Sequence, residues 1–188
     1  MQPLPLVTSL SNALVKQARS LQQRKHREET GLFLVEGLHH IGEALEAGWQ
    51  VEALLYAPEM LVSAFAQELI QRAGSLPLRL QPVSGAVIES LAGKDNPQGM
   101  LAVVHQRRQG FEALKGLDSL VALVSPQDPG NVGTILRTID AVGVGGLALL
   151  DAGVDAYHPS AVRASMGSLF WKPVARGSFE AFIHWASA

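Results

Sequence analysis

The 188-residue chain has no cysteine, which excludes a disulfide framework, thiolate chemistry and cysteine-ligated metal. Charged residues make up only 17% and aromatic residues 6%, against 47% hydrophobic residues. So little charge on so much aliphatic material excludes a disordered chain. Long apolar runs are missing too. The longest stretch free of polar side chains, Ala141 to Leu150, is ten residues and rich in glycine, well short of the roughly 20 that a bilayer-spanning helix needs. The opening Met1-Gln2-Pro3-Leu4-Pro5 has neither a basic nor an apolar leader region, so it does not read as a secretory signal. The expected address is the cytoplasm, with no membrane partner.

Common nucleotide, metal and hydrolase motifs are equally scarce. No Gly-Lys-Ser/Thr turn is present, so there is no P-loop, and Gly143-Val-Gly145-Gly146 precedes a strand instead of opening a helix, the wrong setting for a dinucleotide fingerprint. That argues against a nucleotide-dependent oxidoreductase. His39 and His40 are adjacent, and His26, His105, His158 and His184 lack ligand spacing, so no metal is expected and capping or surface roles suit them better. A Gly-x-Ser-x-Gly elbow is also missing, which removes the usual serine hydrolase arrangement.

What is present is an asymmetry of charge. Residues 1 to 27 hold Lys16, Arg19, Arg24, Lys25 and Arg27 with no acid, whereas the remainder carries ten basic and 17 acidic residues. A basic end on an acidic body fits a polyanionic partner, and it fits equally a solvated helix face. The first helix is expected from Ser9, with Leu10, Leu14, Ala18 and Leu21 on its apolar stripe, the cations largely off it, and Ser9 or Ser11 as N-cap.

Beyond it, strands alternate with helices, the pattern of layered α/β units. Strands are expected over 31–35, 51–56, 78–83 and 100–105, and helices over 38–45, 58–73 and 84–92. Residues 1–106 thus form one α/β domain, 107–118 a polar linker, and 119–188 a second α/β run. Its strands are expected over 121–124, 146–150 and 171–175, and its helices over 131–142 and 159–167. A last helix, capped by Ser178, runs to Ala188 without a stop signal.

Two segments could carry chemistry. After the strand that ends near Val124, Pro126, Pro129 and Gly130 make a bend and a helix opens at Asn131. Such a helix start offers N–H groups and a positive dipole end to an anion. Gly133 sits one turn before Arg137, which would leave the guanidinium open to an approaching group, at the cost of about 1 kcal/mol for a mid-helix glycine. The same residues also fit a plain surface helix capped by Asn131, with Arg137 paired to Asp140 at i+3. The second segment is His158-Pro-Ser-Ala-Val-Arg163-Ala-Ser165-Met-Gly-Ser168. Arg163, Ser165 and Ser168 there could face a phosphate, or the stretch could be a capped connector.

Taken together, Asp128-Pro-Gly-Asn131-x-Gly133-x-x-x-Arg137-x-x-Asp140-Ala-x-Gly143 and Tyr157-His-Pro-x-Ala-Val-Arg163-Ala-Ser165-Met-Gly167-Ser168 resemble the SpoU (TrmH) group of RNA ribose 2′-O-methyltransferases. Ser11-Asn12-x-Leu14-Val15-Lys16 and Phe33-Leu-Val-Glu36-Gly37 resemble the substrate-binding domain that precedes the catalytic domain in members acting on ribosomal RNA. The resemblance implies a small ribosomal-protein-like α/β RNA-binding domain followed by the first part of an α/β-knot (SPOUT) methyltransferase domain. It further implies S-adenosylmethionine as methyl donor, RNA and specifically ribosomal RNA as partner, and a homodimer at full length.

By the same resemblance Asn131 and Arg137 belong to the catalytic centre. A guanidinium, with a pKa above about 12, is a poor base. The role expected of Arg137 is therefore a clamp on the RNA phosphate that aligns the 2′-hydroxyl, with Asn131 fixing the arginine or the helix start. Lys16, Arg19, Arg24, Lys25, Arg27, Arg163 and Ser165 are the expected RNA contacts. The family's Gly-x-Glu-x-x-Gly-Leu loop and Ile-Pro-Met…Ser-Leu-Asn segment, which form the cofactor pocket, do not occur in residues 1–188. The cofactor-binding residues are thus expected beyond Ala188, the methyltransferase domain is expected to be truncated, and the chain alone is expected to be inactive. A non-catalytic RNA-binding module is the alternative.

Overall fold

The computed structural model describes residues 4–93 and 97–187. The chain divides into two compact units, Met1–Gln106 and Arg107–Ala188.

The first unit begins with two short helices, α1 (Ala13–Ser20) and α2 (Arg24–Thr30), where a single one was expected. Asn12 caps α1 through its side chain, which accepts from the Leu14 N–H at 2.9 Å, so neither serine is the cap. Leu21 to Gln23 interrupt the helix, and Leu10 stays exposed. There follow β1 (Leu32–Glu36), α3 (Leu38–Glu46), β2 (Val51–Tyr56), α4 (Ala64–Gly74), β3 (Arg79–Pro82), α5 (Gly85–Leu91) and β4 (Met100–His105). The expected helix over 58–73 is divided, because a 3-10 turn at Pro58–Met60 ends before Ser63 caps α4.

The four strands form one sheet in the order β1-β4-β2-β3. β4 runs antiparallel to both of its neighbours, and β2 and β3 are parallel. All five residues of β1 are buried, which is how a strand covered on both faces reads. Leu32, Leu34, Leu55, Leu101 and Val103 join Leu14, Val15, Ala18, Leu21, Ile88 and Leu91 in one core. Phe33, pointing the other way, meets Trp49 edge-on at 5.9 Å. Each fully buried leucine here contributes about 1.5–3 kcal/mol.

The second unit holds β5 (Leu120–Val124), α6 (Pro129–Ala141), β6 (Gly146–Leu150), α7 (Pro159–Ala164), α8 (Ser168–Trp171), β7 (Val174–Gly177) and α9 (Phe179–Ala186). Its strands are all parallel, in the order β5-β6-β7, with Ala148 of β6 opposite both Ala122 and Ala175. The helix expected over 159–167 stops at Ala164, and Met166 and Gly167 both take positive φ before α8. Ala188, to which the last helix was expected to run, lies outside the described residues.

Residues 107–118 are no free linker. Arg176 N–H donates to the Gln109 carbonyl at 3.0 Å. Leu114 is buried with Ala148, Leu150 and Ala175, and Phe111 meets Phe182 and Trp185 of α9 at 5.4 and 5.8 Å. With Leu117 packed against the same cluster, three apolar side chains in a polar stretch are enough to dock it.

Candidate functional site

Parallel α/β sheets bind ligands beyond the carboxyl ends of their strands, and the loops after β5 and β6 meet there. Ser125 and Asp151, which follow those strands directly, hold φ of 46° and 61°, a left-handed backbone that non-glycine residues adopt at a cost. Val154 N–H donates to the Pro126 carbonyl at 3.0 Å, and a Cβ on Gly153 would lie 2.9 Å from that same oxygen. The two loops are thus held backbone to backbone, and α6 departs from this fixed point.

The start of α6 differs from the sequence expectation. Pro129 is its first residue and Asp128 its cap, with the Asn131 N–H donating to Asp128 Oδ1 at 2.7 Å. Pro129 has no N–H to offer, and the Val132 N–H goes to the Asp128 carbonyl. The anion site expected at this terminus is therefore already filled by the chain's own carboxylate. Asn131 is not the cap; its side chain sits exposed on the first turn.

Gly133 is also reassigned. It is buried, and a Cβ there would fall 2.3 Å from the Ala161 carbonyl oxygen and 2.7 Å from Ala164 Cβ. Its missing side chain lets α6 and α7 touch; the room is taken by the neighbouring helix and not by a ligand. Arg137, six residues beyond Asn131, is exposed and has no hydrogen bond or ion pair among the described residues. Asp140, its expected i+3 partner, faces α8, where Oδ2 accepts from the Ser168 hydroxyl at 3.0 Å and Oδ1 lies 3.3 Å from Lys172 Nζ. At 100° and 1.5 Å per residue, Asn131 and Arg137 stand about 9 Å apart along the helix and roughly 120° apart around it. They can flank one nucleotide but not one atom.

Of the remaining expected contacts on this unit, Arg163 is half-buried on α7. Ser165 is 0% exposed and donates its hydroxyl to the Val162 carbonyl at 2.7 Å. Packed beneath the α6–α7 contact, it is unavailable to RNA. His158 caps α7 by accepting from the Ser160 N–H. Tyr157, marked in the sequence only by its place in the motif, donates to the Arg107 carbonyl at 2.7 Å, and burial pushes its hydroxyl up to about 12.

On the first unit the basic cluster is dispersed. Lys16 is exposed on α1, and Arg19 donates to the Ser90 hydroxyl at 3.3 Å. Arg24 and Lys25 are exposed but pair along α2 with Glu28 at 2.6 Å and Glu29 at 3.8 Å. Arg27 is 1% exposed, and its Nη1 donates to the carbonyls of Leu21 and Gln22 at 2.8 and 2.9 Å. It closes the end of α1 from inside and cannot hold a phosphate.

Among the described residues, no group of three His, Asp or Glu is placed to hold a metal, and no helix is long and apolar enough to cross a membrane. The carboxylates around the strand ends are engaged locally. Asp128 caps α6, Asp151 accepts from the Phe179 N–H at 2.8 Å, and Asp155 accepts from the Tyr157 N–H at 2.9 Å. In each of these three bonds one carboxylate oxygen is taken by a backbone N–H, and a carboxylate retains acceptor capacity for a ribose hydroxyl beyond a single such bond.

Comparison with known proteins agrees with this architecture. Residues 12–102 match the MRM3-like substrate binding domain, and residues 118–187 match the SpoU rRNA Methylase family. A 23S rRNA (uridine(2479)-2′-O)-methyltransferase of Streptomyces viridochromogenes is 32% identical over 83% of this chain and 54% of its own length. A 23S rRNA (guanosine(2553)-2′-O)-methyltransferase of Bacillus subtilis is 29% identical over 94% of this chain and 67% of its own. The structure of an AdoMet-bound rRNA methyltransferase from Sinorhizobium meliloti superposes with a TM-score of 0.87 at 36% identity, covering 98% of this chain and 69% of that one. The chain belongs to the SpoU rRNA methylase family, as its motifs implied, with the substrate-binding and SPOUT-type α/β units expected of it. It spans about half the length of the Streptomyces relative.

Proposed function

We propose that this chain carries the RNA-accepting part of a ribosomal-RNA ribose 2′-O-methyltransferase whose methyl donor is S-adenosylmethionine. Arg137 holds the phosphate beside the target ribose, Asn131 contacts the same nucleotide from the first turn of α6, and the first unit, through Lys16 and Arg19, holds the RNA further along. Positioning of this kind accounts for much of the barrier lowering in a transfer that needs its atoms in line. The observation that carries the reading is Arg137, exposed and without a hydrogen bond or ion pair among the described residues, on the helix that departs from the paired loops after β5 and β6. The names of the relatives support ribosomal RNA as the substrate and AdoMet as the donor. A cytoplasmic setting and a homodimer belong to the same proposal; a single-protomer mass by light scattering at micromolar protein would remove the dimer.

The test is labelling of unmodified 23S rRNA from a tritiated methyl donor by the whole protein. Arg137→Ala is expected to lower methylation at least about 100-fold, the scale of a lost positioning contact, and Arg137→Lys to recover only part of it, since lysine lacks the planar fork. Wild-type labelling by Arg137→Ala would remove Arg137 from the reaction. Tight RNA binding with no labelling by the unaltered protein would turn the proposal into that of an RNA-binding module.

A further inference from the structure

We infer that Ser168 and Lys172 are positioning residues, which hold Asp140 against α8 so that it does not neutralise Arg137. The inference rests on the reading of Arg137 as a phosphate clamp. On a helix, an aspartate three residues beyond an arginine stands on a neighbouring stripe and pairs with it readily. Such a pair would set an internal carboxylate in competition with the RNA phosphate. In this chain both carboxylate oxygens are engaged elsewhere, Oδ2 by the Ser168 hydroxyl at 3.0 Å and Oδ1 by Lys172 Nζ at 3.3 Å. The two holding groups stand at opposite ends of α8: Ser168 is its first residue and Lys172 its C-cap. The Ser168 side chain is buried and that of Lys172 is 19% exposed, while the Asp140 side chain is 42% exposed, so the hold rests on two partners, covered on the α8 side, acting together on one partly exposed carboxylate. Arg137 is left without a partner among the described residues although an acid lies one turn away. Charge is conserved in the arrangement: the aspartate is neutralised by lysine, and the arginine keeps its full positive charge for the RNA.

The test measures binding of unmodified 23S rRNA by the full chain as a function of salt, with thermal melts to confirm folding. Arg137→Ala is expected to reduce the slope of log affinity against log salt by about 0.9, the loss of one phosphate contact. Lys172→Met keeps the aliphatic stem and frees Asp140. It is expected to reduce the slope in the same direction and to weaken binding several-fold. Adding Asp140→Asn to Lys172→Met is expected to restore both. Three results overturn the inference. Lys172→Met could bind like the unaltered chain while Arg137→Ala binds weakly, which leaves the clamp standing without the hold. The double variant could stay weak, which would mean that Lys172 touches RNA itself or acts only on stability. Arg137→Ala could have no effect, which would sink the phosphate clamp and the hold with it. Should Lys172→Met melt below the assay temperature, Ser168→Ala with and without Asp140→Asn provides the same comparison.

Discussion

At the scale of single residues, the sequence names candidates but not their partners. Arg137 and Asn131 are both exposed on α6, although Asn131 lies within its first turn and does not cap it. Arg27 stands in the same basic run as Lys16 and Arg19, yet its guanidinium turns inward to the carbonyls that α1 leaves open at Leu21 and Gln22. Nothing in a count of charges separates these cases, because the separating fact is a helix end six residues upstream. The two roles predict different outcomes. Arg27→Met is expected to lower stability by about 2–3 kcal/mol, since charge-assisted bonds are lost and buried carbonyls are left unsatisfied. It should leave the salt dependence of RNA binding unchanged among molecules that remain folded. Urea unfolding and a salt titration check the two halves of this prediction, and a reduced salt slope would return Arg27 to the RNA-binding set.

At the scale of elements, the type of each segment was legible and the ends were less so. The strands over 51–56, 100–105 and 146–150 fall where apolar runs between turn residues placed them. A hydrophobic stripe that runs on across Leu61 to Ser63 hides the break there, and the break at Leu21 to Gln23 is hidden because the polar residues of α2 carry no stripe at all. The cap of α6 was readable in principle: aspartate followed by proline is an N-cap followed by the first helical residue. The role of Gly133 was not, because it depends on a second helix, whose Ala161 approaches from 28 residues downstream. On an exposed helix, Gly→Ala gains about 1 kcal/mol. Here the new methyl group meets a backbone oxygen at 2.3 Å, and a carbonyl in α7 cannot turn aside as a side-chain tip could. Gly133→Ala is expected to cost about 1–3 kcal/mol, the usual range for overpacking. A raised urea midpoint would show that α6 and α7 do not touch at this point.

At the scale of the whole molecule, alternation of strands and helices gave two α/β units, and the chain does divide near Gln106. What the sequence hid is the allegiance of residues 107–118, whose polar composition masks Phe111, Leu114 and Leu117. Tyr157 fastens the head of this segment by donating to the Arg107 carbonyl, and the bond ties the stability of the second unit to pH. Burial raises the phenol from 10 to about 12. Between those values the unfolded chain has released the proton while the folded chain still holds it, so stability is fully present below pH 10 and falls as pH rises toward 12. The slope is about 1.4 kcal/mol per pH unit, on the order of 2–3 kcal/mol in all. Tyr157→Phe keeps the ring and removes both the bond and the titration. It is expected to be about 1 kcal/mol less stable than the unaltered chain at neutral pH, to equal it as pH passes between 10 and 12, and to exceed it above. Paired urea unfolding curves from pH 8 to 12 check the crossing. A constant difference would mean that the phenol titrates alike in both states, and that the tether between Arg107 and the α7 loop is open to water.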